Sequence, residues 1–146
     1  MNKATATVLG AMAFALPNAS AWAAGTAQRA MPKTKVVTAT KSFTGAAVQA
    51  DRWGEVDVTI VVKKTTTTNL KTKKKTVTRK ITAVKVPVYP NHTDRSVFIN
   101  QNALPTLIQE TMQAQSSRVD LVSGATDTSL SFQQSLQSAI LKAKAW

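Results

Sequence analysis

Strict alternation constrains this chain more than any other feature. Over residues 54–62, polar Glu55, Asp57 and Thr59 alternate with apolar Val56, Val58 and Ile60, the period of a strand with one face buried and one in water. A mate follows at residues 76–88, with Val77, Ile81 and Ala83 facing in and Thr78, Lys80 and Thr82 facing out. Its parity changes at Ala83 and Val84, where a bulge lets Val84, Val86 and Val88 keep facing the core. Pro87 sets the end of this strand at an edge or outside the ladder. Two such runs in succession make an antiparallel pair whose apolar face must be covered.

The cover is helical. Ala103, Leu104, Leu107, Ile108 and Met112 recur at helical spacing, with Asn100 as candidate cap and Pro105 near a first turn. Phe132, Leu136, Ile140 and Ala143 repeat every three or four residues, which predicts a final helix from about Thr128 or Ser129, with Lys142 and Lys144 at the end where cations favour the dipole. Residues 35–44, rich in Val and Thr, predict one more strand, and Gly45 a turn. The expected fold is a single α+β domain: a twisted, mostly antiparallel sheet with two helices packed on one face.

Between the two strands, residues 63–75 contain six lysines and one apolar residue, Leu70. The segment cannot bury a face and is expected as a basic hairpin loop or a protruding extension of the strands. Aromatic platforms are absent from it, which argues against nucleic acid. A solvated loop, or contact of Lys63, Lys64, Lys71, Lys73, Lys74 and Lys75 with an anionic wall polymer, fits better.

The chain of 146 residues carries a formal charge of +12. Its first segment reads as a signal peptide over residues 1–23: Lys3, an apolar run from Ala4 to Leu16, Pro17, then the cleavage pattern Ala21-Trp22-Ala23. Its removal takes away only Lys3, leaving 12 − 1 = +11. Residues 24–34 read as a flexible lead-in, and the expected location is extracellular or in the cell envelope. No cysteine occurs, which excludes a disulfide framework and a thiolate nucleophile. With one His and seven acidic residues that do not cluster, no transition-metal site is expected.

Chemistry concentrates in Asp120-Leu121-Val122-Ser123-Gly124-Ala125-Thr126, followed by Asp127, Thr128 and Ser129. Hydroxyls, a permissive glycine and a small alanine stand at a loop-to-helix junction, where unpaired N–H groups can take an anion. The same residue types also serve as an ordinary helix cap.

Asp-x-x-Ser-Gly-Ala-Thr resembles the flavinylation motif of the FMN-binding domain family, known from the C subunit of the sodium-translocating NADH:quinone reductase and the G subunit of its Rnf relative. The longer stretch INQNALPTLIQETMQAQSSRVDLVSGATDTSLSFQQSLQSAI is similar to the C-terminal half of the small, free-standing members, and the domain would cover residues 35–146. The resemblance implies FMN joined through its phosphate to the Thr126 hydroxyl by a flavin transferase. Gly124 and Ala125 would leave room, while N–H groups from Thr126 to Ser129 and the hydroxyls of Ser123, Thr128 and Ser129 would hold phosphate or ribityl oxygens. Asp120 has two readings, support of the loop's N–H groups or recognition by the transferase and its magnesium. Thr128 is a rival acceptor, and Asp127 adds negative charge beside the phosphate.

No nucleophile–base pair is evident, so no catalytic residue is assigned and an electron carrier is expected over an enzyme with its own substrate. A membrane-bound donor or acceptor would be its partner. His92 reads as a solvated turn histidine and Trp53 as packing; Tyr89, Pro90, Phe98 and Ile99 either border the flavin ring or serve the core. The alternatives are a polyanion-binding module without flavin and a flavin-dependent reductase.

Overall fold

The alternating run becomes the spine of the sheet. The structure, a computed structural model, describes residues 33–146; the expected leader 1–23 and nearly all of the lead-in 24–34 lie outside the described residues, and Thr34 already opens a strand. Strand β3 (Glu55–Asn69) is flanked on one edge by β1 (Thr34–Thr44) and then the short β2 (Val48–Gln49), and on the other by β4 (Lys75–Val88), all antiparallel. Helices α1 (Asp94–Ala114) and α2 (Thr126–Lys144) complete the fold. This is the α+β arrangement expected, an open antiparallel sheet with two helices.

Val56, Val58, Ile60 and Val62 of β3 are all buried and join one core with Leu104 and Leu107 of α1 and Phe132, Leu136 and Ala139 of α2. Both helices therefore share one core on a single face of the sheet, α2 against β3 and α1 against β4. Each such side chain contributes about 1.5–3 kcal/mol relative to exposure.

The bulge in β4 lies at Thr82, just before the expected place. Val61 pairs with Ala83 while Val62 pairs with Ile81, and the Thr82 hydroxyl donates to the Val61 carbonyl at 3.1 Å. The extra residue lets Ile81 and Val84 both point into the core. Val77 and Val88, expected inside, are exposed. Val77 stands beyond the last core row, and a second register shift, between Asp57 and Thr59 of β3, intervenes before Val88.

Of the two expectations for segment 63–75, the protruding extension of the strands holds and the long loop does not. Strands run through it to Asn69 and resume at Lys75, and β1 pairs with the same stretch, from Thr40 opposite Lys63 to Thr34 opposite Asn69. Only residues 70–74 turn. The result is a three-stranded ribbon with no buried residue in the rows beyond Val62 and Ile81.

Helix α1 starts six residues before the expected cap at Asn100. Thr93 is the N-cap, its hydroxyl oxygen accepting from the Ser96 N–H at 3.1 Å. Asn100 is buried in mid-helix and Pro105 is interior. Proline there removes one i to i−4 bond, and burial of Leu104, Leu107 and Thr111 around it outweighs that loss. At the far end Gln115, in the left-handed region at φ 52°, pairs its amide with β4: Ile81 N–H donates to Oε1 at 2.7 Å and Nε2 donates to the Ile81 carbonyl at 3.1 Å.

Helix α2 reaches the sheet through serines. Ser135 Oγ accepts from the Val58 N–H at 2.9 Å and Ser131 Oγ donates to the Gln49 carbonyl at 3.0 Å. The first bond serves β3 where β1 gives way to β2, and the second holds β2 itself. A Cβ on Gly45 would stand 2.1 Å from the Ser135 carbonyl oxygen, so the glycine here admits the helix backbone.

Candidate functional site

The loop before α2 is clamped by that helix's own first turns. Ser129, fully buried, accepts from the Val122 N–H at 3.1 Å and donates to the Ala125 carbonyl at 2.8 Å. Gln133 Nε2 donates to the Val119 carbonyl at 2.5 Å, and the Asp120 N–H donates to Glu110 Oε2 at 2.9 Å. Ala125 N–H closes a turn on the Val122 carbonyl at 2.9 Å. Gly124 sits at φ +82° with nothing within 4 Å of a would-be Cβ, so glycine is needed for the backbone conformation and not for room.

Helix α2 begins at Thr126, two residues earlier than expected, with Ala125 as its N-cap. Alanine brings no acceptor, and the helix has no side-chain cap hydrogen bond; the first helical bond runs from the Ser129 N–H to the Ala125 carbonyl at 2.9 Å. The N–H groups of Thr126, Asp127 and Thr128 thus stand at the positive end of the helix, available to an anion. The capping alternative fails here because the cap position lacks a polar side chain.

This end of α2 opens on a cleft of about 370 Å³, within the range of about 300–1000 Å³ usual for small-molecule sites. Gly124, Ala125, Thr126, Asp127 and Thr128 line one side. Thr93, Arg95, Ser96, Ile99 and Asn100, from the first turns of α1, line the other, with Ala50, Trp53 and Pro90 completing it. Two helix N-termini therefore converge on one cavity, and both favour negative charge. Arg95 adds a cation. Trp53 presents a half-exposed indole at the edge, with the Arg52 guanidinium 5.2 Å from its ring centre.

Of the residues expected at the site, Gly124, Ala125, Thr126 and Thr128 line the cleft. Thr126 is exposed, whereas Thr128 is only 7% exposed. Ser123 is exposed and does not line it. Ser129, expected to bind phosphate or ribityl oxygens, is a structural clamp instead: its hydroxyl and its N–H are both engaged within the protein. Asp120 is exposed, and its carboxylate makes none of the loop's hydrogen bonds; of its two readings, loop support goes unrealised, and Glu110 accepts the Asp120 N–H instead. Trp53, Pro90 and Ile99 border the cleft, while Tyr89 packs against the core and Phe98 is 71% exposed. His92 is exposed, its ring against Gly54.

Arg95, Ser96 and Asn100 were missed. Thr93 followed by Asp94 is a candidate helix start in sequence, but Pro105 drew the expected helix start downstream. Asn100 is the most telling. It is 1% exposed, its Nδ2 donates to the Pro90 carbonyl at 2.7 Å, and its Oδ1 is buried without a hydrogen-bond partner among the described residues. A buried acceptor left open beside a cleft is a place for a donor, from a ligand or an ordered water.

FMN fits this set of groups. Its phosphate suits the open N–H groups and hydroxyls at Thr126 and Thr128, its flat ring suits a wall of Trp53, Pro90 and Ile99, and the ring's imide N–H is a donor of the kind the Asn100 oxygen lacks. No curated protein matches the chain. The family model described as FMN-binding domain matches residues 51–141, which takes in the Trp53 turn, α1, the loop after it and all but the last turn of α2. The chain belongs to the FMN-binding domain family.

Proposed function

We propose that the FMN bound by this domain is held covalently, as a phosphoester on Thr126 Oγ, and that the chain is an exported electron carrier. The carrying observation is an exposed Thr126 at the first position of an uncapped helix, facing the cleft. Thr126 Oγ attacks the flavin-bearing phosphorus of an activated donor, a flavin dinucleotide. The P–O bond to the departing nucleotide phosphate breaks, the hydroxyl proton passes to a base of the transferase, and no electron changes hands. The free carboxylate of Asp120 is left for the transferase and its magnesium. Arg95, across the cleft, offsets the negative charge that Asp127 adds.

Bound FMN supplies the redox chemistry; the chain binds, orients and charges the cleft around it. Outside a membrane, a tether keeps one flavin on each carrier regardless of affinity, which suits a chain with a leader at residues 1–23. Co-expression with a flavin transferase should give a yellow protein whose colour and added mass survive denaturation. Thr126→Ala should abolish both, and Thr128→Ala, at a buried position, should keep them. A label that follows Thr128 would refute the assignment.

A further inference from the structure

The ribbon holds cations that the flavin site does not use. In register, Lys63 stands opposite Lys80 and Lys64 opposite Arg79, and like charges directly opposite one another oppose strand pairing. Lys71, Lys73, Lys74 and Lys75 crowd the turn, and all seven acidic residues of the chain lie outside β1, the ribbon and its turn. Lysines on edge strands are a known guard against edge-to-edge pairing. That explains Lys80 and Arg79 on β4 but not Lys63 and Lys64 on the central strand, where an acid would guard equally and add attraction. Lys64 is held at the root, its Nζ donating to the Trp146 main-chain oxygen and lying 5.0 Å from that ring's centre. Among the described residues, no acid pairs with the others.

Apolar side chains are interleaved with these cations. Val37 and Val77 are 51% and 43% exposed, and Leu70, at the turn, is 46% exposed among lysines. A hydrophilic polymer has no use for them. An anionic bilayer takes both, cations among its headgroups and apolar side chains at the acyl boundary.

We propose that the ribbon, led by Leu70 and the lysines of its turn, docks the protein on an anionic lipid surface. The cleft lies at the Glu55 end of β3 and the turn at the Asn69 end, so tip-first docking carries the flavin site roughly 45–50 Å along the strand from the point of contact. That geometry presents the cleft to a partner standing above the bilayer.

The processed, exported protein is to be sedimented with vesicles of pure phosphatidylcholine and of phosphatidylcholine mixed with phosphatidylglycerol. Binding is expected only to the anionic vesicles, falling steeply with salt. Lys73, Lys74 and Lys75 changed together to Ser should weaken it about a hundredfold, since each lysine near such a surface is worth about fivefold. Leu70→Ser should weaken it with the salt dependence unchanged. The chain has no cysteine, so Leu70→Cys carries a single environment-sensitive dye, whose emission should shift to the blue on anionic vesicles. Equal binding to both vesicle types, or a dye at position 70 that stays in water, would overturn the proposal. Retention on polyphosphate without vesicle binding would overturn it in favour of a polymer. Far-UV circular dichroism of each variant separates loss of docking from loss of fold.

Discussion

At the scale of single residues, the serines and threonines of the motif divide by burial. Ser129 joins Val122 to Ala125 through one hydroxyl, so Ser129→Ala leaves a loop N–H without its acceptor. It should lower stability by about 1–3 kcal/mol, read as a shift in the urea midpoint. Ser123→Ala, at an exposed position outside the cleft, should change it by no more than about 0.5 kcal/mol. Equal effects would mean the clamp is unimportant. Trp53 gives a second reading. An indole beside a flavin ring quenches its emission by electron transfer, so the fluorescence of the holo-protein should rise on Trp53→Ala with the attached mass unchanged. Unaltered emission would move the ring away from the Trp53 edge of the cleft.

At the scale of elements, helix α1 is built against its own sequence. Pro105 in its interior leaves the Gln101 carbonyl without a helical donor and strains the turn before it. Pro105→Ala should restore that bond and raise the thermal midpoint, with a gain of up to about 3 kcal/mol. A lower midpoint would mean that the packing of Leu104 and Leu107 in the present helix is worth more than the bond. The ribbon obeys a different logic. Its rows beyond Val62 and Ile81 bury nothing, yet β1 pairs with residues 63–69, so cutting that segment back strips β1 of its partner as well as removing the turn.

At the scale of the whole molecule, charge and chemistry occupy opposite ends of β3, with the cleft and the two helix N-termini at one end and the lysine ribbon at the other. The carrier proposed above would need partners that supply and take electrons, and the sequence contains no Gly-rich dinucleotide fingerprint. Dithionite should reduce the purified holo-protein and artificial acceptors reoxidise it, while NADH alone should reduce it slowly. Reduction by NADH at enzymatic rates, about 1–1000 per second, would make the protein a reductase.

Local pattern determined the alternation of β3, the apolar stripe of α2 and the hydroxyl-rich loop before it, because a strand period of two, a helix period near 3.6 and a glycine at a turn are all written within a few residues. The FMN expectation came from the resemblance of Asp120–Thr126 to a family motif, since the local pattern alone allowed an ordinary helix cap as well. Tertiary structure decided the rest. Thr82 became the bulge because Ile81 and Val84 both had to reach one core. Asn100 became a buried cleft residue instead of a cap because α1 starts at Asp94 and continues past an exposed Pro105. Ser129 was withdrawn from the ligand because its hydroxyl faces the loop, and Arg95 and Trp53 were brought to the cleft from segments far from the motif. Contacts between distant segments depend on how helices and sheet meet in space, and no local window contains that information.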